Sequence, residues 1–298
     1  MKHITYYLVT LVIKLKGIKK IFSSAPIDYL KLRKDDIYVP KSRDVLGLKC
    51  NTILMGTTTV TEIMPKEMLS EQVIMFCHGG ASVYGPTDIH WNSIAKIVKE
   101  TGVMAYLVDY PKAPEHQIKE INKNIDTVYE HLQNQHDAQN IILLGDSMGG
   151  TLLILLVQRL IKNRNPLPSQ IILLSPVLDG SMTNPDIEKI EKDDIMLSKV
   201  GIISAKKMCA GDLNLQSSEI SPLYGSFKNF IPTYVFIGEN DIMRPDETLF
   251  VEKLKAENVP VEVYEGKGMP HIWVFLPVMK DAKMALKKMI DVIKKATL

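Results

Sequence analysis

The stretch "IILLGDSMGGTLLILLVQRL", residues 141–160, leaves the chain little choice of fold. An apolar run at 141–144 passes through Gly145-Asp146-Ser147-Met148-Gly149 straight into a longer apolar run. The first run has strand length; the second is long enough to be a helix. No loop residues separate them, so the turn must be sharp and small residues must flank its centre. Such a strand-to-helix turn presents its serine at a helix N-terminus, above the ends of the strands. A glycine-rich turn can instead cradle a phosphate. The stretch has neither GxGxxG nor GxxxxGK[ST], which argues against that use.

The rest of the chain repeats the theme. Runs at 58–64, 73–76, 103–108, 141–144, 171–174, 234–237 and 261–264 read as strands, several of them continuously apolar. Continuous runs belong to sheets covered on both faces. Between them, 89–100, 118–133, 148–162, 245–257 and 278–295 read as helices. This alternation predicts an α/β fold, a mostly parallel central sheet flanked by helices. With 298 residues, 46% hydrophobic and 23% charged, the chain can build it as a single domain over 1–298. Two segments break the alternation, about 1–45 and about 180–218. They are expected outside the sheet, together forming a helical cap. Ligands of open α/β sheets bind beyond the C-terminal strand ends, so a cap there shapes the pocket.

A net charge of +2 gives no reason to expect nucleic acid as a partner. Cys50, Cys77 and Cys209 lack CxxC spacing and do not make a disulfide framework; all three are expected buried as small hydrophobes. The apolar stretch 4–13 is shorter than the roughly 20 residues that cross a bilayer, so stable membrane insertion is not expected. No clear A-x-A site marks it as a signal peptide. Leu8, Leu11, Val12, Leu15, Ile18 and Phe22 keep helical spacing, with Lys14, Lys16, Lys19 and Lys20 mostly off the stripe. One amphipathic helix packed on the body of the protein is expected, a targeting or membrane-surface role being the alternative. The expected location is cytoplasmic, with export or membrane-surface association as the alternative.

A serine hydroxyl is a weak nucleophile. It needs a base, and the base needs a carboxylate to orient it and stabilise its charged form. With a serine on this kind of turn, the acid follows it in sequence and the histidine follows the acid, each on a loop after a strand. "YVFIGENDIMRPD" is a strand opening into a loop with Glu239, Asp241 and Asp246. "VEVYEGKGMPHIW" is a strand followed by a glycine-rich loop with His271. The other histidines are placed differently: His3 is N-terminal, His90 and His131 fall in helices, His136 lies in a polar loop, His116 precedes the serine, and His78 belongs to a glycine motif. Asp241 is the expected acid, with Glu239 and Asp246 as alternatives. Attack creates an oxyanion, which backbone N–H groups stabilise. One comes from Met148, after the nucleophile, and the others from the loop after the third strand. That loop is "CHGGASVYG", residues 77–85, with Gly79, Gly80 and Ala81. Glycine lets backbone approach a substrate. Alanine supplies the same N–H, so Ala81 is expected to donate from an ordinary φ.

Taken together, these stretches resemble the hormone-sensitive-lipase-like esterases, a family of α/β-hydrolases. "HGGA" at 78–81, "DYPKAPEH" at 109–116 (similar to DYRLAPEH) and "GDSMGG" at 145–150 (similar to GDSAGG) come in the family's order. "SPVLD" at 175–179, "SPLYG" at 221–225, "GENDIMRPD" and "GMPHIW" follow, so the likeness covers most of the chain. It implies hydrolysis of carboxylic esters, often with short acyl chains, beneath a helical cap. It implies Ser147 as nucleophile, Asp241 as acid and His271 as base. Gly80, Ala81 and Met148 become the oxyanion donors, with Gly79 permitting the turn. His78 is implied to brace that loop, and Asp146, Asp109 and Glu115 to support the serine turn and the strand end. No metal or organic cofactor is implied. Ala81 departs from the third motif glycine, Pro111-Lys112 from the family's Arg-Leu, and Met148 from the usual alanine. These departures bear on substrate size and preference. The expected function is a serine carboxylesterase acting on small-molecule esters of short-to-medium acyl chain, through an acyl-enzyme. Amide or peptide hydrolysis, an interfacial lipase and a catalytically silent binding protein are the alternatives. The last is disfavoured because no triad residue is missing.

Overall fold

The computed structural model describes residues 4–41, 43, 45–276 and 278–296. Among these, eight strands form one sheet in the order β1-β2-β4-β3-β5-β6-β7-β8. They are β1 (Lys49–Met55), β2 (Thr58–Met64), β3 (Val73–Cys77), β4 (Met104–Asp109), β5 (Ile141–Asp146), β6 (Gln170–Leu174), β7 (Thr233–Gly238) and β8 (Val261–Gly266). β2 runs antiparallel to both β1 and β4, and every other neighbouring pair is parallel. Strands β3, β5 and β6 are buried at every residue, which is why their sequences do not alternate. β1 escapes the sequence reading because it is an edge strand, exposed along most of its length. It also carries Cys50 into solvent, against the expectation that all three cysteines are buried; Cys77 and Cys209 are buried.

The helices are α1 (Ile4–Lys16), α2 (Ile18–Phe22), α3 (Tyr29–Leu32), α4 (Asp88–Thr101), α5 (Ile118–Gln133), α6 (Met148–Asn163), α7 (Ile187–Glu191), α8 (Lys199–Ala210), α9 (Arg244–Ala256) and α10 (Lys280–Ala296). Helices α4, α5, α6, α9 and α10 occupy the five predicted stretches to within two residues at each end. The N-terminal helix differs from expectation. Gly17, at φ 65°, breaks it into α1 and α2. Residues on either side of a left-handed joint no longer share a face. Phe22 is buried beyond the joint, while Leu8, Leu11, Val12 and Leu15 before it are exposed. The stripe read as a packing surface is therefore mostly in solvent.

The two segments outside the alternation pack on each other. Lys19 Nζ donates to the carbonyls of Glu191 and Asp194, both at 2.5 Å, and the Ile27 N–H donates to Ser204 Oγ at 2.9 Å. Arg33 fastens the first segment to the main domain. Its guanidinium makes a two-pronged bond to Glu115, at 2.8 and 2.6 Å, and donates to the Val83 and Ala113 carbonyls. Glu115 thus holds the N-terminal segment.

Helix α8 buries a cation. Lys206 is 1% exposed, and its Nζ lies 2.9 Å from Met148 Sδ. Burial lowers its pKa to about 8, against the opposing pull of Cys209 and Asp179. Unfolded lysines titrate near about 10.4. Between those values the unfolded chain binds more protons than the folded one, so stability rises with pH. We expect Lys206→Met to stabilise the protein by about 1–3 kcal/mol at pH 7 and to remove that rise. Urea denaturation at pH 7 and above pH 10 measures both, and a variant less stable at pH 7 refutes the expectation.

Candidate active site

β5 ends at Asp146 and α6 begins at Met148, so Ser147 alone makes the turn. Its backbone sits at φ 50°, ψ −119°. Such a conformation costs a side-chain-bearing residue on the order of 1–3 kcal/mol and persists only where the surroundings impose it. The Ser147 N–H donates to the Leu174 carbonyl at 2.8 Å, and its own carbonyl accepts from Thr151 N at 3.2 Å. A Cβ on Gly149 would lie 1.9 Å from the Cys77 carbonyl oxygen, so the second glycine of the motif is what lets α6 lie against the end of β3. The hydroxyl residue is left 6% exposed.

The loops after β7 and β8 bring Asp241 and His271 together. Asp241 Oδ2 lies 2.9 Å from His271 Nδ1, and both residues are buried. Asp241 Oδ1 accepts the N–H of Met243 at 3.0 Å, which fixes the carboxylate. The two alternative acids are engaged elsewhere: Glu239 accepts from Gly268 N and Asp246 from Asn184 Nδ2. Burial lowers the pKa of His271, but the charge and hydrogen bond of Asp241, with Asp194 and Asp146 further off, outweigh it. The net result is an imidazole pKa raised above its ordinary 6.5. Ser147 and His271 line one cavity of about 280 Å³, together with Gly80 and Ala81.

The loop at 77–85 corrects two expectations. Ala81 has φ 52°, not an ordinary value, and lies between Gly80 at φ 121° and Ser82 at φ 66°. The tight turn dictates this: Val83 N and Tyr84 N both bond to the Gly80 carbonyl. An alanine is therefore no marker of ordinary backbone here. Gly79 does not serve as a free donor, because its N–H is given to Asp146 Oδ1 at 3.0 Å. Among the described residues, none accepts a hydrogen bond from the N–H of Gly80, Ala81 or Met148. The loop is braced as the resemblance implies. The His78 ring stacks on Tyr110 with centroids 4.6 Å apart, and the Tyr110 hydroxyl donates to the His78 carbonyl. Asp109 holds Lys112 and lies 3.7 Å from His78 Nε2.

Two further residues at the site were not legible beforehand. His90 accepts the Thr87 N–H at 2.9 Å at the start of α4, while its other ring nitrogen lies 3.4 Å from Asp146 Oδ2, behind the serine. Thr87 and His90 at capping-box spacing are the only trace of this in sequence. Asp194, from the segment outside the sheet, accepts the N–H groups of Met196, Leu197 and Ile242. Burial and the nearby Asp241 charge raise its pKa. Nothing local signals a contact with a loop that far away in sequence. Among the described residues, no group of three or more His, Cys, Asp or Glu is placed to hold a metal ion.

A mostly parallel sheet, a one-residue strand-to-helix turn at a serine and an acid–imidazole pair on the next loops define an α/β-hydrolase. The chain belongs to the hormone-sensitive-lipase-like family of that class; the family described as alpha/beta hydrolase fold matches residues 74–275. An esterase of Acinetobacter venetianus is 32% identical over 218 residues, which are 72% of each protein. A triacylglycerol lipase of Mycobacterium tuberculosis is 26% identical over 80% of this chain and 50% of its own length. A solved Staphylococcus aureus structure is 28% identical, with a TM-score of 0.83 over 89% of both chains. An esterase of the bacterial hormone-sensitive lipase family superposes with a TM-score of 0.87 at 22% identity over the whole of both chains.

The left-handed alanine carries a cost of about 1–2 kcal/mol, which glycine avoids at some loss of unfolded-state entropy. We therefore expect Ala81→Gly to raise stability by about 0.5 kcal/mol. Thermal unfolding would show this, and a clear drop in midpoint would contradict it.

Proposed function

We propose that the protein is a serine carboxylesterase acting on small-molecule esters of short-to-medium acyl chain. One observation carries this reading: Ser147, on its strained turn, and His271, held from behind by Asp241, line one cavity. Asp241 holds His271 Nδ1, leaving Nε2 to take the Ser147 proton as Oγ attacks the ester carbonyl. The oxyanion is stabilised by the uncommitted N–H groups of Gly80, Ala81 and Met148. The support for Ala81 is its place in the cavity wall and its free N–H, not its conformation. The protonated imidazole then donates to the leaving alcohol. Water attacks the acyl-enzyme by the same proton route, releasing the acid and restoring Ser147.

Segments at about 1–45 and about 180–218 act as the cap. Phe22 from the first, and Met196, Leu197 and Ile202 from the second, contribute apolar wall to the cavity. At about 280 Å³ it lies at the small end of ligand pockets, which favours short acyl groups.

Wild-type protein should be labelled by a fluorophosphonate at Ser147. Ser147→Ala should lose labelling and at least about 10³-fold in kcat on p-nitrophenyl acetate. Full activity in the variant, or labelling at another serine, would sink the proposal. The base must be neutral to act, and its raised pKa keeps it protonated to higher pH. We therefore expect kcat/KM to rise with pH through a midpoint above 6.5. A profile flat from pH 5 to 8 is incompatible with that role for His271.

A further inference from the structure

Helix α1 turns its apolar stripe to solvent. Ile4, Tyr7, Leu8, Leu11, Val12 and Leu15 are each more than half exposed, Leu15 to 76%. At 3.6 residues per turn these positions fall within an arc of about 140°. The opposite side, Tyr6, Val9 and Ile13, packs on the core, so the helix is seated and the outer stripe is left uncovered. Lys14 and Lys16 border the stripe on its two sides, Lys20 follows on α2, and no Asp or Glu precedes Asp28. Lys19 is already bonded to the Glu191 and Asp194 carbonyls. An apolar stripe with a basic border complements anionic headgroups over an acyl layer, with lysine stems reaching outward to phosphate. A second copy of the chain fits poorly, because a two-fold contact of α1 with itself offers Lys14 and Lys16 no acidic partner on that helix.

We propose that α1 docks reversibly on an anionic lipid surface. Its stripe lies in the headgroup boundary, with Lys14, Lys16 and Lys20 among the phosphates. Among the described residues, no helix is long and apolar enough to cross a membrane, so the association is peripheral. Lys16, Ile18 and Phe22 also line the cavity that holds Ser147, so a docked α1 sets the wall of that cavity beside the lipid. The docking itself is independent of the chemistry proposed for the cavity and is read without substrate.

The test is co-sedimentation of the full chain with phosphatidylcholine vesicles, with and without phosphatidylglycerol. Wild type should partition onto the anionic vesicles at least about tenfold more strongly than onto the neutral ones. Leu8→Gln/Leu11→Gln/Leu15→Gln should weaken that partition by about tenfold or more. Lys14→Gln and Lys20→Gln should each weaken it about fivefold, independently of the stripe. Circular dichroism and the unfolding midpoint verify that the variants fold, and none of these side chains is buried. Wild type remaining in the supernatant, or partition unchanged by the stripe substitutions, overturns the proposal. So does sedimentation equilibrium without lipid showing a dimer that the stripe substitutions dissolve, which would make the stripe a self-contact.

Discussion

The single-residue turn at Ser147 is the constraint on which the site depends. A residue at φ 50°, ψ −119° does not hold that conformation by itself. β5 is hydrogen-bonded between β3 and β6 and cannot lengthen the turn, while α6 is buried from Met148 through Val157 and cannot retreat. Gly149 then brings α6 against the Cys77 carbonyl, where β3 leaves the sheet. The loop that follows β3 is thereby delivered to the serine. Asp146, one residue before Ser147, accepts the Gly79 N–H and lies next to His90. Ser147 and the loop are therefore positioned by one set of contacts.

The same physics explains what could be read beforehand. Strands buried on both faces need apolar side chains at every position, so β3, β5 and β6 announce themselves, whereas β1 carries the mixed residues of an exposed edge. Ser147, Asp241 and His271 sit on loops at one end of parallel strands, and Asp241 rather than Glu239 or Asp246 meets His271. Backbone torsion is less legible. Ala81 was expected to mark ordinary backbone, yet its φ is set by the Gly80–Tyr84 turn and not by its own preference. Gly17 likewise interrupts an apolar period that reads as one helix. His90 and Asp194 gain their places only through contacts far away in sequence, which no periodicity encodes.

Charge is crowded around His271. Asp194 and Glu247 are buried near Asp241, and among the described residues neither Glu247 oxygen has a hydrogen-bond partner. Burial first, and Asp241 second, push both carboxyl groups up toward their neutral forms. A neutral carboxyl fills space without adding charge. That holds for Glu247; Asp194, pushed only to about 6 and accepting three N–H groups, keeps its charge at neutral pH and adds to that of Asp241, which meets His271 directly at 2.9 Å.

Asp194 also joins the outlying segments to that field. Its carbonyl accepts Lys19 of α2, and its carboxyl accepts the N–H of Ile242, the residue after Asp241. From α2 to the imidazole the route is Lys19, Asp194, the 241–242 backbone and His271. Met196 and Leu197, whose N–H groups bond to the same carboxyl, line the cavity. The segment that lines the cavity therefore also holds the loop that carries Asp241. α1 leads into this network through Gly17, whose carbonyl accepts the Ile21 N–H of α2, and Lys19 of the same short helix bonds to Asp194.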